Sequence, residues 1–330
     1  MRVLVTGGGG FLGKAIVAQL RERGDEVLVL ARGRYPEVEA LGARSVQGDL
    51  RDPASLAGLL QGLDGVFHVA SKTGVWGPRE EFFSVNVEGT RTLLGACREQ
   101  GVPWMVYTSS PSCVHRGGDE EGVSEAQCPY PTHFEAPYPE SKAVAEQLVL
   151  AASAPDLRTT ALRPHLIYGP GEPHMLPRLL DRHRKGRLRR IGTGTNRVGL
   201  TYIDNAARAH LLAADALAAG GDNAGKAYFI TDAEPVELWP WIDRFMVGVG
   251  MPPVRKSIAL STAQRGSDLM EWIWRTFGLA GEPLMTRFAA TQLATSHWYD
   301  ISAAERDFGY RPEVDGEEGL RRTVAAFAPK

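Results

Sequence analysis

The stretch Met1-Arg-Val-Leu-Val-Thr-Gly7-Gly-Gly-Gly10-Phe-Leu-Gly13 decides how the chain folds. Its apolar start suits a buried strand, four glycines break that strand, and Lys14-Ala-Ile-Val-Ala-Gln-Leu20 resumes with helical apolar spacing. Glycine reaches backbone angles closed to other residues, so the chain can turn tightly and bring a helix N-terminus close to a ligand. Free N–H groups and the helix dipole there stabilise a pyrophosphate. The glycines follow G-x-x-G-x-x-G (Gly7, Gly10, Gly13), and counting Gly8 also satisfies G-x-G-x-x-G. With a strand before it and a helix after it, the motif predicts a dinucleotide site.

Working outward, 330 residues with 43% hydrophobic and 23% charged content suit a globular protein with a large core. A net charge of −2 predicts no general affinity for nucleic acid or anionic membranes. No basic and apolar leader precedes Arg2 and no apolar run is long enough to span a bilayer, so the expectation is a cytoplasmic protein without a transmembrane segment. Cys97, Cys113 and Cys128 are odd in number and lack C-x-x-C spacing, which argues against a disulfide framework or a metal site. Cys113 reads as a small buried residue.

Strands and helices alternate through the first half, predicting an α/β, Rossmann-like, doubly wound parallel sheet with a smaller mixed α/β C-terminal lobe. The expected division is residues 1–170 for the dinucleotide domain, with 198–231 returning to it, and 171–197 plus 232–330 for a substrate lobe. The second strand, Glu26–Ala31, ends at Arg32-Gly-Arg34 with no Asp or Glu. A carboxylate there would bind the ribose 2′-hydroxyl of NAD, whereas arginine accommodates the 2′-phosphate, so NADP(H) is the expected cofactor. A third strand, residues 43–47, leads to Asp49 and Leu50, expected to flank the adenine; helix capping is the competing role for Asp49. A helix is expected around Leu56–Leu60, then a strand from Gly65 to Ser71 that brings Ala70 near the nicotinamide ribose. Asn86 is expected to open a long helix, residues 104–108 to form a strand, and a polar loop to run to Pro137. Further strands are expected at 158–164, 198–203 and 227–231.

Tyr138 and Lys142 lie four apart at the start of a helix and so share one face. Ser110 ends the preceding strand and can meet them at the strands' C-terminal edge. A free phenol has a pKa of about 10, so proton exchange near neutrality calls for a positive field such as that of Lys142. The three, following the glycine motif in order, resemble the Ser/Tyr/Lys triad of the short-chain dehydrogenases. The resemblance implies that Ser110 hydrogen-bonds a carbonyl oxygen, Tyr138 protonates it and Lys142 supplies charge and a ribose contact. The cofactor contacts expected are Gly7, Gly10, Phe11, Leu12, Gly13, Arg32, Asp49, Leu50, Ala70, Tyr138, Lys142, Pro164 and Ile167.

The stretches Tyr107–Val114, Leu162–Pro170, Thr201–His210 and Gly225–Thr231 resemble the 3β-hydroxysteroid dehydrogenase branch of the extended short-chain dehydrogenases. Lys72-Thr-Gly-Val-Trp76-Gly, His297-Trp-Tyr299 and Arg306–Tyr310 extend the likeness over nearly the whole chain, most strongly toward the bacterial 2-alkyl-3-oxoalkanoate reductases of long-chain olefin biosynthesis. That resemblance implies NADPH, a β-keto acid substrate with two long alkyl arms, a homodimer built through the helices of Asn86 and Tyr138, and room for association with other enzymes of the pathway. The competing readings are a 3β-hydroxysteroid or 4-carboxysterol dehydrogenase, a sugar-nucleotide epimerase or dehydratase, and a non-catalytic NADP-binding regulator, against which the intact triad argues. Candidate substrate contacts are Lys72, Trp76 and His165, with Arg163 a further cation for the carboxylate. Leu269–Leu279 carries large apolar groups that fit an acyl tunnel, a lid or a membrane contact, and ordinary core packing is the preferred reading. The basic run Arg178–Arg190 reads as a solvated helix face.

Overall fold

A computed structural model describes residues 1–328. The first strand, β1 (Arg2–Thr6), runs through the glycine turn into α1 (Phe11–Glu22). Six further strands join it: β2 (Glu26–Ala31), β3 (Arg44–Gln47), β4 (Gly65–His68), β5 (Trp104–Thr108), β6 (Arg158–Pro164) and β7 (Ala227–Ile230). Their order across the sheet is β7-β6-β5-β4-β1-β2-β3, and every neighbouring pair is parallel. From β1 the chain winds outward through β2 and β3, then returns to place β4 on β1's other side. This reversal leaves a crevice at the C-terminal ends of β1 and β4, where ligands of such sheets bind.

Helices cover both faces. One face carries α2 (Gly89–Glu99) and α3 (Pro137–Ala151), which bury Leu93, Leu94, Cys97, Ala145 and Val149 against Leu4, Met105 and Tyr107. The other carries α1 and α4 (Ile203–Ala218), whose Ile16, Val17, Ala206 and Ala209 share a core with Val3 and Val5. Fully burying a side chain such as Ile16 or Val17 contributes about 1.5–3 kcal/mol before entropic costs. Apart from the parallel sheet, Val236–Glu237, Arg197–Val198, His297–Tyr299 and Glu120–Val123 form a four-stranded sheet, and the C-terminal half adds helices that include α5 (Leu260–Phe277). No helix among the described residues is long and apolar enough to cross a membrane.

Several elements differ from the sequence expectation. The helix expected around Leu56–Leu60 is only a short 3₁₀ turn, Pro53–Leu56, because Gly58 and Gly62 follow at φ +70° and +69° and break any continuation. Asn86 does not open its helix. Helical structure begins at Arg79 and passes through a π-turn, Ser84–Glu88, into α2. The polar loop before Pro137 contains the strand Glu120–Val123, whose partner His297–Tyr299 is remote in sequence. Residues 198–203 divide between two short strands, ending at Val198 and Tyr202, and Ile203 starts α4. The preferred core reading of Leu269–Leu279 is also corrected: α5 buries only Ala263 and Ser267, while Leu269, Trp272 and Phe277 are 58%, 58% and 67% exposed. Its packing runs mainly along the short helix Arg287–Gln292, too narrow a partner to cover its aromatic residues.

Candidate active site

A cavity of about 500 Å³ opens at the crevice between β1 and β4. The glycine turn forms one wall. Gly7 has φ +70°, and a Cβ there would lie 2.8 Å from the Ala70 backbone; at Gly13 it would lie 2.2 Å from the Gly7 carbonyl oxygen. Only hydrogen fits at these positions. Gly10 stands at the N-terminus of α1 without a side-chain cap, so the first-turn N–H groups have no side-chain acceptor there. An extended cradle of this shape, with an uncapped helix start, fits a dinucleotide pyrophosphate.

A buried hydrogen-bond chain sets the height of this wall. The Ala70 N–H donates to Thr6 Oγ1 at 3.2 Å, and Thr6 Oγ1 lies 2.8 Å from His68 Nδ1. On its other side, His68 Nε2 lies 2.8 Å from Thr90 Oγ1, and that hydroxyl donates to the Asn86 carbonyl at 2.6 Å. Burial, with the charge of Lys142, lowers His68 to about 3, so the ring is neutral. The network then assigns its proton to Nε2. β1, β4 and α2 are joined through this one imidazole.

Ser110, Tyr138 and Lys142 meet in the same cavity. Ser110 follows β5, and its Oγ accepts the Ser112 N–H at 3.3 Å and lies 2.9 Å from Ser112 Oγ. Tyr138 and Lys142 occupy the first turns of α3, where Pro137 presets the starting angle. Lys142 is 1% exposed; Nζ donates to the Thr108 carbonyl at 2.5 Å and lies 4.2 Å from the centre of the Tyr107 ring. Burial lowers its ammonium to about 7, with Cys113 and Glu146 opposing. Burial likewise raises the Tyr138 phenol to about 12, with the Ser110 hydroxyl opposing. The phenol is therefore protonated at neutral pH, the state that a proton donor requires.

All expected cofactor positions, from Gly7 to Ile167, line this cavity, with Arg32, Asp49 and Leu50 at one end and the triad at the other. The candidate substrate contacts do not line it. Lys72 Nζ bonds Glu81 at 2.7 Å and lies over the Phe82 ring, facing a side cavity shared with Arg32, Arg51, Glu80 and Glu81. Trp76 lies under the Arg275 guanidinium, 5.2 Å from the ring centre. His165 is buried, with Nδ1 2.6 Å from the Gly199 oxygen and its ring edge-on to His297 and Tyr299. Arg163 is engaged in a buried ion pair, 2.6 and 2.9 Å from the two Glu146 oxygens. Cys113 is fully buried, 3.6 Å from Glu146, and burial raises its thiol to about 12, the inert behaviour expected of a core cysteine.

Sequence reasoning missed other lining residues: Tyr35, Arg51, Val85, Leu166, Glu172 and His174. A Cβ at Gly9 would lie 2.3 Å from the Tyr35 ring, so that glycine makes room for an aromatic neighbour. Glu172 accepts the N–H groups of His174, Met175 and Leu176 and starts the helix Met175–Arg184. An acid three residues before a helix was a readable cap signal. Leu166 adopts φ +40°, strained for a branched side chain, at the cavity wall. No cluster of potential metal ligands occurs among the described residues.

Residues 4–261 match the 3-beta hydroxysteroid dehydrogenase/isomerase family. The chain belongs to this family. It is therefore an oxidoreductase of the extended short-chain type, and its parallel sheet is the one expected of that group. Over 329 residues it is 48% identical to a 2-alkyl-3-oxoalkanoate reductase of Stenotrophomonas maltophilia, covering 99% of this chain and 100% of the relative. It is 45% identical to a 2-alkyl-3-oxoalkanoate reductase of Shewanella oneidensis, covering 98% and 85%. A solved dTDP-glucose 4,6-dehydratase of Streptomyces venezuelae with NAD bound superposes with a TM-score of 0.75 at 28% identity, covering 99% of this chain and 97% of that one.

Proposed function

We propose that this family member reduces the 3-oxo group of a 2-alkyl-3-oxoalkanoate to the 2-alkyl-3-hydroxyalkanoate, with NADPH as the reductant. The observation that carries the reading is the meeting of Ser110, Tyr138 and Lys142 in the glycine-walled cavity of a chain 48% identical to such a reductase from end to end. For NADP(H) the support is local: Arg32 stands at the end of β2, lines the cavity and makes no ion pair among the described residues. When bound, the reduced nicotinamide supplies a hydride to the carbonyl carbon. Ser110 donates a hydrogen bond to the carbonyl oxygen, and Tyr138, held protonated by burial, transfers its proton to that oxygen. Lys142 positions the ribose and returns positive charge beside the phenolate that the transfer leaves. The product is a secondary alcohol.

The reading includes the cytoplasmic setting and the place in long-chain olefin biosynthesis that the resemblance implies, with other enzymes of that route as partners. It also includes a homodimer: Val144, Leu148 and Leu150 on α3 are only half-buried and leave apolar surface for a second copy.

The test is NADPH oxidation with a 2-alkyl-3-ketoalkanoic acid beside its decarboxylated ketone and a 3-ketosteroid, with NADH run in parallel. Selective turnover of the keto acid with NADPH is the expected result. Preference for the steroid would move the protein to the steroid dehydrogenases, and preference for NADH would remove the cofactor assignment.

A further inference from the structure

We infer that Arg51 is a second specificity residue for the adenosine 2′-phosphate, exchanging its ion pair with Asp49 for the phosphate when the cofactor binds. The inference rests on the NADP(H) reading above. Its basis is the geometry at the end of the cavity remote from Tyr138, where Arg32, Asp49 and Arg51 form the wall together. Arg32 and Arg51 also line the adjoining side cavity with Ser71 and Lys72.

Arg51 is held through a fork. Its Nε donates to both Asp49 oxygens at 3.0 and 3.1 Å, its Nη2 donates to Oδ2 at 2.6 Å, and its backbone N–H donates to Oδ1 at 3.0 Å. Both side chains remain open to water, at 45% and 30% exposure, so the pair is screened and easily parted. The planar guanidinium that grips a carboxylate in two places grips a phosphate in the same way.

Asp49 makes the exchange necessary. The Arg51 contacts, with Arg32 nearby, hold its carboxyl at about 2, so the site carries a permanent negative charge where the adenosine is expected. A phosphate dianion brought to Arg32 alone would meet that charge unscreened. Arg51, on the same wall and two residues from Asp49, pairs with the phosphate while staying close to Asp49. The backbone N–H of Arg51 continues to hold Oδ1, so the carboxylate keeps its place.

The test is calorimetric titration of the full chain with adenosine 2′,5′-bisphosphate and with 5′-AMP, beside NADPH and NADH turnover. Wild type is expected to favour the bisphosphate. Arg51→Ala should reduce that preference about tenfold or more while leaving AMP affinity nearly unchanged. The double variant Asp49→Asn/Arg51→Ala should recover part of the lost preference, because the repelling charge is gone. If wild type prefers the bisphosphate and Arg51→Ala retains the full preference, the exchange is overturned and the cofactor assignment stands. If wild type shows no preference, the NADP(H) assignment falls and the role of Arg51 falls with it.

Discussion

Asn86 holds both backbone groups of Lys72: its Oδ1 accepts the Lys72 N–H at 2.7 Å, and its Nδ2 donates to the Lys72 carbonyl at 3.0 Å. The same Nδ2 donates to Ser141 Oγ at 2.9 Å, and Ser141 donates in turn to the Tyr138 carbonyl at 2.8 Å. One buried amide in a π-turn therefore fixes the loop after β4, which lines the cavity, to the helix that carries the phenol and the lysine.

Asn86→Ala should accordingly loosen both attachments. Leaving buried polar groups without partners costs about 1–3 kcal/mol, and turnover should fall because Ser71, Thr73 and Tyr138 lose their common anchor. Thermal melting and steady-state kinetics on the same preparation check both effects. Unchanged turnover would show that the loop holds its place without the amide.

Tyr138→Phe removes the hydroxyl and little else. Turnover should fall by about 10²-fold or more. NADPH binding, followed by fluorescence, should survive, since the glycine cradle and Lys142 are untouched. Retained turnover would take Tyr138 out of the proton-donor role.

Lys142 gives a pH signature. Its folded-state value is lowered from 10.5 to about 7, chiefly by burial, so between those values the unfolded chain binds more protons than the folded one. The lysine's penalty is therefore full below pH 7, diminishes as the pH rises and vanishes above 10.5. Lys142→Met should abolish turnover yet raise the melting temperature, with the gain over wild type larger at pH 6 than at pH 10. A gain that does not vary with pH would mean that the buried amine is not what titrates.

Arg32→Asp places at the end of β2 the acid that an NAD site uses. The ratio of kcat/KM for NADPH to that for NADH should drop about tenfold or more, by loss of the phosphate contact and by repulsion. An unchanged ratio would mean that the phosphate is held elsewhere.

Much of this architecture was legible because its causes are local. The strand, glycine turn and helix of residues 2–22 follow from apolar runs and from glycines that tolerate no Cβ, and the Tyr138/Lys142 pair follows from helical geometry. Cofactor specificity was approached through the residue after β2, again a short-range signal. The strand Glu120–Val123 was not legible, because four polar-rich residues become a strand only beside His297–Tyr299. The exposed aromatic residues of α5 were misread for a related reason: periodicity shows that a helix has apolar groups, whereas coverage depends on how broad its neighbours are.

By itself the sequence determined the parallel α/β class, the glycine turn ahead of α1 and the shared helical face of Tyr138 and Lys142, since each depends on neighbours within a turn or a strand. Only the tertiary structure decided which charged groups remain available. Lys72 goes to Glu81, Arg163 to Glu146 and His165 to the Gly199 carbonyl, whereas Arg32 lines the cavity without an ion pair among the described residues. A polar side chain's availability is set by the desolvation it suffers and the partner it meets, and folding brings that partner from far along the chain.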